Sequence, residues 1–77
     1  MQRRNDSQSL EILADQWGMD PWSLVEAYAM ESVVPAICAN LDCEEYSTEL
    51  EPDCNAGFCN CCGESSMVSC MVLAGVI

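Results

Sequence analysis

Seven cysteines in 77 residues, four of them between Cys54 and Cys62, constrain this chain more than any other feature. A domain this short buries too little apolar surface to leave much net stability once conformational entropy is counted. It therefore needs disulfides, a structural metal or a partner. An odd number of cysteines fits a complete disulfide framework poorly. The opening residues, MQRRNDSQSLEIL, place a polar stretch where a secretory leader requires an apolar core. The longest apolar run, MVLAGVI, falls far short of the roughly 20 residues that cross a bilayer. The chain reads as soluble and cytoplasmic, with no membrane role, where thiols stay reduced and are available as metal ligands.

The spacing of the cysteines separates ligands from bystanders. Cys38 and Cys43 form a C-x4-C pair; Cys59 and Cys62 form a C-x2-C pair followed at once by Gly63. In a C-x2-C-G turn two sulfurs point at a common centre, backbone amides stabilise the thiolates, and glycine relieves the position after the turn. Fifteen residues separate Cys43 from Cys59, enough for two strands and a turn. YSTEL alternates, with Tyr46, Thr48 and Leu50 on one side, and EPDCNAG supplies turn residues before the chain returns through Phe58. Cys38, Cys43, Cys59 and Cys62 are thus expected to surround one zinc ion tetrahedrally, at Zn–S distances of about 2.3 Å. Cys61 is expected to point away, and Cys54 and Cys70 to be free thiols. The rival set puts Cys54 or Cys61 in place of Cys38, because C-x4-C is the less usual spacing. A closed four-sulfur site leaves no position for substrate or water, so it implies scaffolding and no metal catalysis.

The first half reads as helical. Leu10, Leu13, Ala14 and Trp17 recur at i, i+3, i+4, i+7, with Asp6 or Ser7 as the cap and Gly18 at the stop. Asp20 followed by Pro21 opens a second helix. Trp22, Val25 and Ala29 are expected on its apolar face, Leu24 and Tyr28 on another side, and Pro35 is expected to end it near Val33 or Val34. Ala14, Gly18 and Leu24 also match the spacing of a helix-turn-helix. The second helix carries Glu26 and Glu31 but no Lys or Arg, so it lacks the donors that read DNA. The closing stretch alternates as a strand from about Met67 to Val72, although Val68, Met71, Val72 and Gly75 would equally suit a short helix. The expected architecture is α+β: a helical hairpin over residues 1–36 and a small antiparallel zinc-ribbon sheet over 37–77, packed as one domain.

Charge narrows the partners. Thirteen acidic residues face only Arg3 and Arg4, with no Lys or His, for a formal net charge of −11. Such a field repels a phosphate backbone, so direct nucleic-acid binding is not expected. Without histidine the commonest general base is missing, and no catalytic constellation appears. The chain is read as a non-enzyme.

The motifs SVVPAIC, TELEPDC, GFCNCCG and VLAGVI resemble small uncharacterised zinc-ribbon proteins of bacteria and their phages, of rubredoxin-like knuckle type. In those a helical part leads into a cysteine pair, an E-P-D turn (here Glu51, Pro52, Asp53) and a knuckle (here Gly57, Phe58, Cys59, Cys62, Gly63). This chain departs from the pattern in its C-x4-C first pair and in Cys61 and Cys70. The resemblance implies zinc and the fold, and no activity.

The expected function is a zinc-stapled interaction module that meets a basic surface on a partner protein. A phage origin would make it an inhibitor that imitates nucleic acid. The expected contacts are Glu44, Glu45, Glu49, Glu51, Asp53 and Trp22. The alternatives are a rubredoxin-like iron electron carrier, a structural or virion component, and a nucleic-acid-binding zinc ribbon. The missing glycine after Cys43 weighs against rubredoxin.

Overall fold

Asn5 starts the first helix in the computed structural model, which describes residues 3–76. Its side chain accepts from the Gln8 amide at 2.8 Å, so the cap lies one residue before the expected Asp6. Helix α1 spans Asp6–Gln16 and buries Ser9, Leu10, Leu13 and Ala14. Gly18 follows at φ +68°, a conformation that costs glycine little. Asp20 caps helix α2, Pro21–Ala27, with Pro21 in the first turn. Both of its carboxylate oxygens accept from Ser23, one from the amide at 3.1 Å and one from the hydroxyl at 2.7 Å.

Helix α2 is shorter than its sequence suggests, and its buried face is different. It ends at Ala27, and the buried pair is Leu24 and Val25; Trp22 is 58% exposed and Ala29 lies at the surface. The reason lies downstream. Val33, Val34 and Ile37 are β-branched, and β1 (Val34–Cys38) takes up this run as a fully buried strand. Pro35 lies inside β1, where the register with its neighbour slips between Val34 and Ala36. A residue without an amide proton is tolerated at such a bulge.

Three further strands complete an antiparallel sheet: β2 (Tyr46–Leu50), β3 (Gly57–Phe58) and β4 (Ser65–Ser69), in the order β2-β1-β4-β3. The two strands between Cys43 and Cys59 exist as expected, but they do not form a hairpin. They lie at opposite edges, with β1 and β4 between them. The closing segment resolves as strand followed by helix: β4 ends at Ser69, and Ser69 then caps α3 (Cys70–Leu73) by accepting from Val72 N at 3.2 Å.

The two central strands sort their side chains to two faces. Ile37 pairs with Val68, and both join the cluster formed with Leu10, Leu13 and Leu24 of the helices. Cys38 pairs with Met67, and both join a second cluster with Ala36, Cys43 and Cys59. This is the period-two alternation of a strand, with one face toward helices and the other toward thiols. Trp17 ties the helical layer to the β2 edge. Its Nε1 donates to Tyr28 Oη at 3.2 Å, and its ring meets that of Tyr46 edge-on at 5.4 Å. Leu13 is wholly buried in the larger cluster. Leu13→Ala should cost about 3 kcal/mol in denaturant unfolding, whereas Trp22→Ala should fall within about 0.5 kcal/mol of the parent. The opposite order would show that α2 packs through Trp22.

Candidate metal centre

Four sulfurs converge below the β1–β4 pair. The Sγ atoms of Cys38, Cys43, Cys59 and Cys62 all lie within 4.8 Å of one another; the first three residues are buried and Cys62 is half-buried. Cys38 Sγ stands 3.7 Å from Cys62 Sγ, and Cys43 Sγ stands 3.7 Å from Cys59 Sγ. A disulfide requires about 2.05 Å. Four Zn–S bonds of about 2.3 Å place the corners of a tetrahedron about 3.8 Å apart. The cross-loop separations match the second figure and exclude the first, so these residues are close enough to hold a metal ion.

Each pair reaches this point by its own route. Cys38 is the last residue of β1, and Cys43 returns after a loop whose ends are joined by Cys38 N donating to Glu45 O at 2.8 Å. Cys59 follows β3, and its turn is closed by Gly63 N to Cys59 O and by Cys59 N to Glu64 O, both at 2.8 Å. Gly63 takes φ +76°, as the knuckle requires of the residue after the second cysteine.

Amides two residues downstream face three of the sulfurs. The Glu64 amide is the main influence on Cys62 and, with help from Ser66 and Asn40, draws its thiol down to about 6. For Cys43 the Glu45 amide pulls the same way, but burial and the thiols of Cys38, Cys59 and Cys61 together outweigh it and raise the pKa. Burial leads at Cys38 and raises it, against Ser66 and the Asn40 amide. The Cys62 thiol is thus drawn toward the anion while those of Cys38 and Cys43 resist it, and a bound cation would remove that resistance by supplying positive charge.

Several residues that organise the site carry no metal-ligand signature. Asn40 Nδ2 lies 3.3 Å from Cys62 Sγ and also donates to Glu64 Oε2 at 3.0 Å. Ser66 Oγ lies 3.0 Å from Cys38 Sγ.

Arg4 matters most. Rather than fraying with the N-terminus it is 7% exposed, and its guanidinium occupies the interior of the 38–43 loop. Nη1 donates to the carbonyls of Asn40 and Cys43 at 2.8 Å each, Nη2 to that of Cys38, and Nε to Ser9 Oγ at 3.3 Å. The main chain adds Arg4 N to Ala39 O at 2.8 Å. The long x4 spacing, unusual for a knuckle, is therefore supported from within by a planar donor that holds its carbonyls. The only sequence signal for this role is that Arg4 is one of two cations in an acidic chain.

The remaining cysteines lie outside the four-sulfur group. Cys61 is exposed, Cys70 is buried among the helix-facing apolar residues, and Cys54 is half-buried with its Sγ 3.7 Å from Met67 O. Neither Cys54 nor Cys61 replaces Cys38 in the group. The acids are all exposed: Glu44 and Glu45 just before β2, Glu49 on it, and Glu51 and Asp53 in the turn after it. On an edge strand, charge of this kind also blocks pairing with another sheet. No helix among the described residues is long and apolar enough to cross a membrane.

No protein-family model, curated protein or solved structure matches the chain. The likeness to bacterial and phage zinc ribbons rests on sequence motifs, and its coarser content, a zinc-ribbon-like group of four cysteines, is present.

Cys59→Ser should abolish stoichiometric metal binding, whereas Cys61→Ser should leave one ion per chain by elemental analysis. Equal loss from both would exclude this ligand set. Arg4→Gln should weaken metal affinity by about 10- to 100-fold, the usual scale for groups that support ligands. Competition with a chromophoric chelator measures this, and unchanged affinity would show that the loop holds its shape without the guanidinium.

Proposed function

We propose that this chain is a small interaction module, stapled by one zinc ion on Cys38, Cys43, Cys59 and Cys62, whose acidic surface engages a basic surface of a partner protein. The observation that carries the reading is the convergence of four sulfurs from two loops within 4.8 Å of one another, with both cross-loop pairs Cys38–Cys62 and Cys43–Cys59 at 3.7 Å. Four thiolates saturate a tetrahedral cation and leave it no open position, which supports a scaffolding role over a catalytic one. Zinc is preferred to iron because the first pair has x4 spacing and Glu44 where a rubredoxin-type knuckle carries glycine. The net charge of −11 and the exposed acids of the β2 edge support a cationic partner. Likeness to phage zinc ribbons gives the proposal its sharpest form: an inhibitor that occupies the basic nucleic-acid groove of a host enzyme.

The staple and the partner are tested separately. The chain purified without added metal should carry one zinc, and a strong chelator should collapse its circular dichroism, since metal binding and folding are one equilibrium in such domains. Stoichiometric iron and a red colour would favour electron transfer instead. The immobilised metal-loaded chain should retain proteins of high isoelectric point from a lysate, and release them as salt shortens the range of charge attraction. A variant with Glu44, Glu45, Glu49 and Glu51 changed to Gln and Asp53 to Asn should lose them while keeping its zinc. Identical retention by both forms would contradict the partner reading.

A further inference from the structure

A groove on the side of α2 joins two features that sequence reasoning treated apart. Trp22 and Tyr28 form one wall, Pro52 stands opposite, and Val25, Met71 and Val76 complete the apolar lining. Trp22 is 58% exposed and Val76 49% exposed, while Val25 and Met71 are buried, so the lining passes from core to surface. The wall opposite α2 is fixed. Ser69 Oγ donates to the Pro52 carbonyl, and Ser69 N donates to Cys54 O at 2.9 Å, which pins the Pro52–Cys54 turn beside the start of α3. Two carboxylates border it: Glu26 and Glu31 line the groove, while exposed Glu51 and Asp53, which flank Pro52 in sequence, line the neighbouring cavity.

We infer that this groove is a docking site for a basic segment of a partner protein that carries an apolar stripe. The inference rests on the cationic-partner reading above and gives it a location and an anchor. An apolar floor with an exposed tryptophan and a charged rim is the anatomy of an energetically central interface patch. The sign of the rim selects the occupant. A second copy would bring another net charge of −11 to the same acidic border, and anionic lipid or nucleic acid would meet the same repulsion. A lysine-bearing amphipathic segment places apolar residues against Trp22 and Met71 and its cations beside Glu26 and Glu31, in the manner of a helix laid in a groove.

The probe is a synthetic leucine–lysine peptide with leucines at i, i+3, i+4 and i+7, titrated into the zinc-loaded full chain. Two controls accompany it: a shuffled peptide of the same composition without an apolar stripe, and a peptide with Glu in place of every Lys. The striped basic peptide should shift tryptophan emission to the blue and bind at least tenfold more tightly than either control. Trp22→Ala should remove the shift and weaken binding at least tenfold, with circular dichroism unchanged. Glu26→Gln with Glu31→Gln should weaken binding and flatten its salt dependence.

If the shuffled peptide or the Trp22→Ala chain binds as well as its parent, the groove is excluded while the cationic-partner reading stands. If the acidic peptide binds as well as the basic one, the charge argument fails and that reading loses its basis. A free chain that sediments as a dimer, and becomes monomeric on Trp22→Ala, would replace the peptide with a second copy. A blue shift with neutral phosphatidylcholine vesicles that Trp22→Ala removes would replace it with lipid.

Discussion

Four cysteine sulfurs lie within 4.8 Å of one another, and negative charges packed that closely call for a cation among them. That constraint organises the small sheet. Cys38 closes β1, and Cys59 follows β3 at the far edge, so an ion held by their sulfurs would join points that the strand order alone leaves apart. A chain of 77 residues gains most from a link of this kind, because its apolar burial barely exceeds its conformational entropy. The buried guanidinium of Arg4 fits the same balance. Four thiolates with one divalent ion would carry about −2, and the guanidinium beside the first loop would offset part of that charge while it satisfies the loop's carbonyls.

The sheet separates two environments. Ile37 and Val68 face the helices, where packing is apolar; Cys38 and Met67 face the sulfur group. Ser66 and Ser69 hold the margins. One hydroxyl lies against a ligand sulfur, and the other caps α3 and fixes the Pro52 turn. The sulfur group and the groove beside α2 therefore both rest on β4.

The parts legible in the sequence were those with local, short-range signatures. The C-x2-C-G turn, the Asp20–Pro21 helix start and the left-handed Gly18 each depend on a few adjacent residues, and the two cysteine pairs whose sulfurs come together are each local in sequence. The parts that stayed hidden depend on contacts between distant segments. Nothing near Arg4 announces that it will fill a loop more than thirty residues away. The run VVPAIC contains a proline, which marks the end of a helix more readily than a bulge inside a buried strand. Trp22 lies at helical spacing from Val25, yet it is Leu24 that is buried beside Val25, because α2 packs on α1 and α3. The spacing between Cys43 and Cys59 predicted two strands, but only the strand order reveals that they lie at opposite edges.

The account stands on a metal held by sulfur from both loops. X-ray absorption at the zinc edge of the natively purified chain tests this most directly. It should show a single shell of four sulfurs at about 2.3 Å. A spectrum dominated by nitrogen or oxygen scatterers near 2.0–2.2 Å, or a protein without a zinc edge, would contradict it.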